Sequence, residues 1–135
     1  MAAGLAIFVV GCASGPKFSD YRSTVSPPEE GYGRIWFYRP SAFGAAVQPA
    51  INLDNRTVGN AVPHGFFHVE TPPGAYTVSA TTEWTHQISI NVTTNEESYV
   101  RLNMMIGLFV GHVIPEEVPE SQAIKEMQDL HLATP

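Results

Sequence analysis

The sequence predicts an all-β domain: a small antiparallel sandwich or barrel with a short helix at its C-terminal end. Three observations carry this. From Arg34 onward apolar residues recur at every second position, turn-forming residues separate the runs, and only the last segment changes to helical spacing. Short strands at about 8–12-residue intervals with turn signals between them are the pattern of a sandwich or barrel.

Taken in order, Arg34-Ile35-Trp36-Phe37-Tyr38-Arg39 is β-branched and aromatic, and Pro40 stops it. Ile51 and Leu53 lead into Asp54-Asn55, a two-residue hairpin connection, and Thr57-Val58-Gly59 returns from it. Phe66 to Thr71 makes a further strand ended by Pro72-Pro73-Gly74, where proline presets φ and glycine supplies a turn. Tyr76, Val78 and Ala80 alternate with Thr77, Ser79 and Thr81, so one face is buried and the other is wet. Ile88, Ile90 and Val92 alternate with Gln87, Ser89, Asn91 and Thr93 in the same way. After Asn95-Glu96-Glu97 the apolar set Val100, Leu102, Met104 and Ile106 faces one side and Tyr99, Arg101, Asn103 and Met105 the other. Ala123, Met127 and Leu130 then fall at helical spacing behind Pro119 and Ser121, with Glu116, Glu117 and Glu120 where a helix N-terminus favours acids.

The chain of 135 residues has room for one domain. Apolar residues make up 44% and charged residues 15%, low against the roughly one quarter that is usual, so Ser, Thr, Asn and Gln must cover much of the surface. Seven basic residues against thirteen acidic ones give a net charge of -6 with no Lys/Arg cluster. Nucleic acid is therefore not an expected partner, because its binding rests on grouped positive charge.

The N-terminus carries the strongest address. Cys12 is the single cysteine, so no internal disulfide is expected, and it follows the apolar run Ala6-Ile7-Phe8-Val9-Val10. That run is too short to span a bilayer, which takes about 20 apolar residues, but it suits the hydrophobic part of an export signal. Val9-Val10-Gly11-Cys12 resembles the bacterial lipobox, in which the cysteine is lipidated and becomes the mature N-terminus. Gly11 leaves room for the peptidase at the scissile bond. The resemblance implies a diacylglyceryl group on the thiol and an acyl chain on the new amine. Residues 1–11 are then a signal peptide, and its missing basic start, Met1-Ala2-Ala3-Gly4, fits either a true start upstream or a truncation at the N-terminus. Ala13 in place of the aspartate that retains lipoproteins of enteric bacteria in the inner membrane favours the outer membrane, facing the periplasm. The other reading of Cys12 is a buried free thiol in a hydrophobic element. Residues 12–33, with scattered Ser, Pro, Gly and charge, read as a flexible tether spanning roughly 25 Å, which would let the domain of residues 34–131 stand clear of the headgroups.

Ile51 to Gly59, followed by Thr71-Pro72-Pro73-Gly74-Ala75-Tyr76-Thr77-Val78-Ser79-Ala80, resembles the core of PEGA-type domains, departing where Asn60-Ala61-Val62-Pro63 delays the expected proline. The chain is more similar to the bacterial lipoprotein family known as domain of unknown function 2846. Gly33 to Pro40, Thr81-Thr82-Glu83-Trp84-Thr85 and Gly107-Leu108-Phe109-Val110-Gly111 carry that resemblance, which covers about residues 33–131. It implies an immunoglobulin-like or transthyretin-like sandwich and transfers no active site.

His64, His68 and His86 with Glu70 are the best enzyme-like constellation. Two histidines four apart bind zinc on a helix, but in a strand they stand about 13 Å apart, so solvated surface histidines are expected. Glu96-Glu97 and Glu116-Glu117 read as turn and helix-start charges. No metal, cofactor or catalytic group is expected. Trp36, Tyr38 and Trp84 could stack on a ligand or pack in the core. Arg34, Trp36 and Tyr38 share one face of their strand and Ile35 and Phe37 the other, and both faces are not expected to be fully buried. Two loops are unusually apolar, Ala42-Phe43-Gly44-Ala45-Ala46-Val47 and Gly107 to Gly111. They either cap one end of the sandwich or form a contact surface. Phe43, Phe109, Trp36 and Trp84 are thus the candidate partner surface. The expected function is a non-enzymatic envelope lipoprotein that binds an envelope protein or cell-wall component. The alternatives are a small metal- or carboxylate-dependent periplasmic hydrolase, or an inhibitor of a cell-wall-degrading enzyme.

Overall fold

The computed structural model describes residues 11–133. In chain order the elements are α1 (Phe18–Thr24), β1 (Gly33–Arg39), β2 (Ala50–Leu53), β3 (Arg56–Asn60), β4 (Gly65–Thr71), β5 (Gly74–Thr81), β6 (Thr85–Val92), β7 (Glu97–Met105), β8 (His112–Val118), α2 (Glu120–Met127) and β9 (His131–Leu132). They form a five-stranded sheet in the order β8-β7-β1-β4-β9 and a four-stranded sheet in the order β3-β2-β5-β6. The all-β sandwich with a C-terminal helix is the expected class. The larger sheet is mixed, because β1 runs parallel to β7 and β9 parallel to β4. Such pairs need long crossovers, and here the whole smaller sheet supplies the one between β1 and β7.

The inner faces of both sheets meet in one core. Ile35 and Phe37 of β1, Val100 and Leu102 of β7 and Val113 of β8 pack against Ile51, Leu53, Val78, Ala80, Ile90 and Val92 of the smaller sheet. Alternation in the sequence reported this layer correctly. The hairpin at Asp54-Asn55 is also as expected, with Asp54 at a φ of 54° and its carboxylate accepting the Thr77 N–H at 2.9 Å.

The outer face of the larger sheet is a second core. Trp36, Tyr38, Phe66 and Tyr99 are buried beneath Phe18 of α1 and Ala123 and Met127 of α2. All seven residues of β1 are therefore buried, on both faces, contrary to the expectation for that strand. The strand is central and helices cover its far side, a circumstance that no local pattern in residues 34–39 encodes. Trp36, with no exposed surface, is removed from the candidate partner surface.

The flexible tether over residues 12–33 is corrected as well. Ala13 N–H donates to the Pro63 carbonyl at 3.0 Å, Gly15 N–H to Leu132 at 3.1 Å, and Lys17 bridges to His131 before α1 begins. Phe18 then inserts edge-on against both Trp36 (5.4 Å between ring centres) and Phe66 (5.3 Å). Polar composition hid one anchoring aromatic, and that aromatic decides the conformation. Residues 112–118, whose Glu116 and Glu117 suggested a helix start, are an edge strand. Pro115 is tolerated there because an edge leaves one side of the strand without ladder bonds. The preceding strand stops at Met105, so Ile106 is not an inward residue but lies exposed.

Candidate functional site

Strand direction gathers four loops at one end of the sandwich. β1 ends at Arg39, opposite Gly65 at the start of β4, and β7 ends at Met105, opposite His112 of β8. In the smaller sheet, Ala50 pairs with Asn60 while Thr81 meets Thr85, and the His86 and His112 rings join the two sheets at 3.1 Å. Residues 40–49, 61–64, 82–84 and 106–111 therefore lie together. The large apolar side chains exposed among the described residues, Phe43, Trp84, Met105, Ile106, Leu108, Phe109 and Val110, all belong to this end. The Met104 methyl sits between the two apolar loops, 2.8 Å from where a Cβ would stand on Gly44 and equally close to one on Gly111.

Both loops are held by charged side chains from below. Arg39, fully buried, donates to the carbonyls of Val47 (2.6 Å), Ala61 (2.6 Å), Phe43 (2.9 Å) and Gly44 (3.1 Å). Burial lowers its pKa. The guanidinium stays protonated, so its charge is neutralised by carbonyl dipoles. Glu83 performs the complementary task. Its carboxylate accepts the N–H groups of Leu108 (3.0 Å), Phe109 and Val110 (3.1 Å), and it bonds His112 Nε2 at 2.8 Å. The His112 hydrogen bond, reinforced by those three N–H donors against partial desolvation, holds the Glu83 carboxyl below its ordinary value. Trp84 packs edge-on against His112, 4.8 Å between ring centres. Gly107 is required, because a Cβ there would lie 1.9 Å from the Val110 carbonyl oxygen. The backbone of this loop is satisfied internally while Phe109 is left 87% exposed and Phe43 55%.

Cys12 opens onto the same end. It is exposed, and Gln48 Nε2 ties its neighbour Gly11 to the Phe43 loop by donating to the carbonyls of Gly11 (3.1 Å) and Ala45 (3.0 Å). The signal segment ahead of Gly11 lies outside the described residues.

The histidines are not brought together as a catalytic set. His64 is exposed at the sandwich end with a φ of 52°, while His86 lies on the other sheet. His68 is not the solvated residue the sequence suggests: its ring packs at a tilt against Trp36, 4.7 Å between ring centres, and bonds the Tyr21 hydroxyl at 2.7 Å. Its burial lowers its pKa, an effect that outweighs the pull of Glu70. Among the described residues no group of three or more His, Cys, Asp or Glu is arranged to hold a metal.

What the sequence did not indicate is a set of ion pairs beneath the helices. Arg34, almost wholly buried, bonds Glu70 at 2.5 Å, Glu97 at 3.0 Å and the Ser26 carbonyl at 2.7 Å. Arg22 of α1 reaches the Tyr99 hydroxyl at 2.8 Å and Glu120 at 3.0 Å. Arg101 pairs with Glu116 at 3.0 Å and Glu126 at 2.7 Å, and Tyr38 donates to Glu126 at 2.8 Å. Burial raises the Tyr38 and Tyr99 pKa values, whereas for Glu126 burial is outweighed by the bonds from Tyr38, Arg101 and Gln122, and its pKa falls. Each of these carboxylates is engaged by an arginine, which suits it to fastening helices and not to taking a substrate proton. The alternation of Arg34 and Arg101 with apolar neighbours was the available signal, but their carboxylate partners lie 25 or more positions away, except for Glu116.

Residues 29–113, more than half of the chain, match the family described as "Protein of unknown function (DUF2846)". The chain belongs to that family. A protein of Haemophilus influenzae described as "Uncharacterized protein" is similar to it at 26% identity over 135 residues, covering 96% of this chain and 80% of that protein. No solved structure matches.

Proposed function

We propose that the protein is a non-enzymatic bacterial envelope lipoprotein, a β-sandwich binding or structural module tethered by lipid on Cys12 to the periplasmic side of the outer membrane. The observation that carries this reading is the position of Cys12. It is an exposed thiol directly after Gly11 and an apolar run, at the point where the chain enters the folded domain. A peptidase and acyltransferases can reach such a thiol without unfolding the sandwich. Each buried CH₂ contributes about 0.8 kcal/mol, so several acyl chains hold a protein at the membrane effectively for good. The module, PEGA-like in its β2–β3 hairpin and β5, acts by contact, with an envelope protein or cell-wall component as partner.

The test is fractionation of the full chain expressed with its native leader. Wild-type protein is expected in the membrane fraction and to incorporate radiolabelled palmitate, and Cys12→Ser to do neither. Unlabelled, soluble wild-type protein refutes the reading.

A further inference from the structure

We infer that the apolar end of the sandwich is a lipid-docking surface, in which Phe43, Trp84, Ile106, Leu108 and Phe109 seat in the boundary between headgroups and acyl chains of the leaflet that carries the anchor. The inference rests on the lipoprotein reading for its anchor and goes beyond it in saying how the domain sits.

Four observations lead there. Large apolar side chains at this end are exposed although their backbones are clamped, by Arg39 under one loop and Glu83 under the other. Loops built this way are presented outward, and an exposed apolar patch of this kind marks a contact surface. Next, the end is almost free of charge. Loop residues 40–49, 61–64, 82–84 and 106–111 and the entering segment 11–15 contain a single ionisable acid or base stronger than histidine, Glu83, and that carboxylate is turned inward onto the loop amides. A chain of net charge -6 is repelled by anionic headgroups, and this is an end on which it can approach them.

The third observation is the stem. Because residues 13–18 are bound to Pro63, Leu132 and Leu130, the chain between Cys12 and the body is short and fixed, not a tether of about 20 residues. Ala13, the residue after Cys12, donates its N–H to Pro63 in the 61–64 loop of this end, so an anchor on Cys12 brings this end to the bilayer. The anchor makes docking an intramolecular event, for which modest burial of a few side chains is enough. Finally, an exposed tryptophan beside phenylalanine and aliphatic side chains matches the composition that settles at a membrane interface. A protein partner at the same end would have to share it with the lipid anchor.

The experiment uses the full chain purified from bacterial membranes and reconstituted into phosphatidylethanolamine–phosphatidylglycerol vesicles with brominated acyl chains. Bromine quenches tryptophan only on close approach. Quenching of Trp84 is expected, and Trp84→Phe should abolish it because Trp36 is buried beneath α1. Phe109→Asp and Phe43→Asp should each lower the ratio of docked to undocked protein by about 10-fold or more, the effect of withholding one phenylalanine from an apolar phase. Asn55→Asp, at the opposite end, should leave it unchanged. Palmitate labelling of the same sample reports the anchor separately. Labelled protein whose Trp84 is unquenched, or whose quenching survives both phenylalanine substitutions, overturns the docking surface and leaves the lipoprotein reading standing. Quenched but unlabelled protein overturns the anchor and keeps the surface. Loss of a captured envelope protein on Phe109→Asp, with no quenching in the wild type, assigns the end to a protein partner and overturns the inference.

Discussion

Removing the Phe18 ring tests whether the N-terminal segment is part of the domain. The side chain is 1% exposed and makes edge-on contacts with Trp36 and Phe66, while α1 adds the Tyr21–His68 and Arg22–Tyr99 hydrogen bonds. Emptying a buried phenylalanine site costs about 3–5 kcal/mol, within which the two ring contacts account for about 0.5–1.5 kcal/mol each. Phe18→Ala should therefore remove a large part of a stability of about 5–15 kcal/mol and lower the melting midpoint by about 10–20 °C. The loss is limited by the docking free energy of α1, because the helix can leave the sheet once its anchor is gone. Undocking uncovers Trp36, which is now fully buried. The assay is urea unfolding alongside tryptophan emission in a Trp84→Phe background, where Trp36 alone reports. A red-shifted Trp36 and a loss of several kcal/mol are expected. A loss below about 1 kcal/mol with unchanged emission refutes the docking of α1 and restores a free tether over residues 12–33.

Phe109→Ala should leave the unfolding free energy within about 0.5 kcal/mol of wild type, since the ring is 87% exposed and the loop is held by its backbone; a fall of several kcal/mol in urea unfolding would mean that it caps the core. The Glu83 clamp should depend on pH with a defined sign. Its carboxyl is held below the ordinary value by His112 and the loop amides, so the stabilisation is complete above about pH 4.3, the unfolded value, and is lost as pH falls through the folded one. Acid titration of Trp84 emission in a lipid-free sample should show that step in the wild type and lack it in Glu83→Gln; an identical step in both would detach the loop from this carboxylate.

The hairpin at Asp54-Asn55, the alternation through β5 and β6 and the helical spacing of Ala123 and Met127 were legible because each is set by neighbours within a few residues. Period and turn chemistry are local quantities. The same holds for the apolar character of residues 42–47 and 107–111. Where the outcome depended on distant chain, local pattern misled. The seven residues of α1 are too few to form a stable helix alone, and the helix exists because Phe18 finds a cavity between Trp36 and Phe66. Phe18, Tyr21 and Val25, at helical spacing on one face, were its local trace. β8 was masked by Pro115 and two adjacent glutamates, residues that an edge strand admits and an isolated sequence window assigns elsewhere. The double burial of β1, the arginines fastened under the helices and the gathering of the two apolar loops at one end are products of strand order. Sequence by itself determined which residues could lie in a strand, a turn or the C-terminal helix. Only the tertiary structure decided which surfaces stayed open, because exposure is a property of what packs alongside and the covering segments lie far away in the chain.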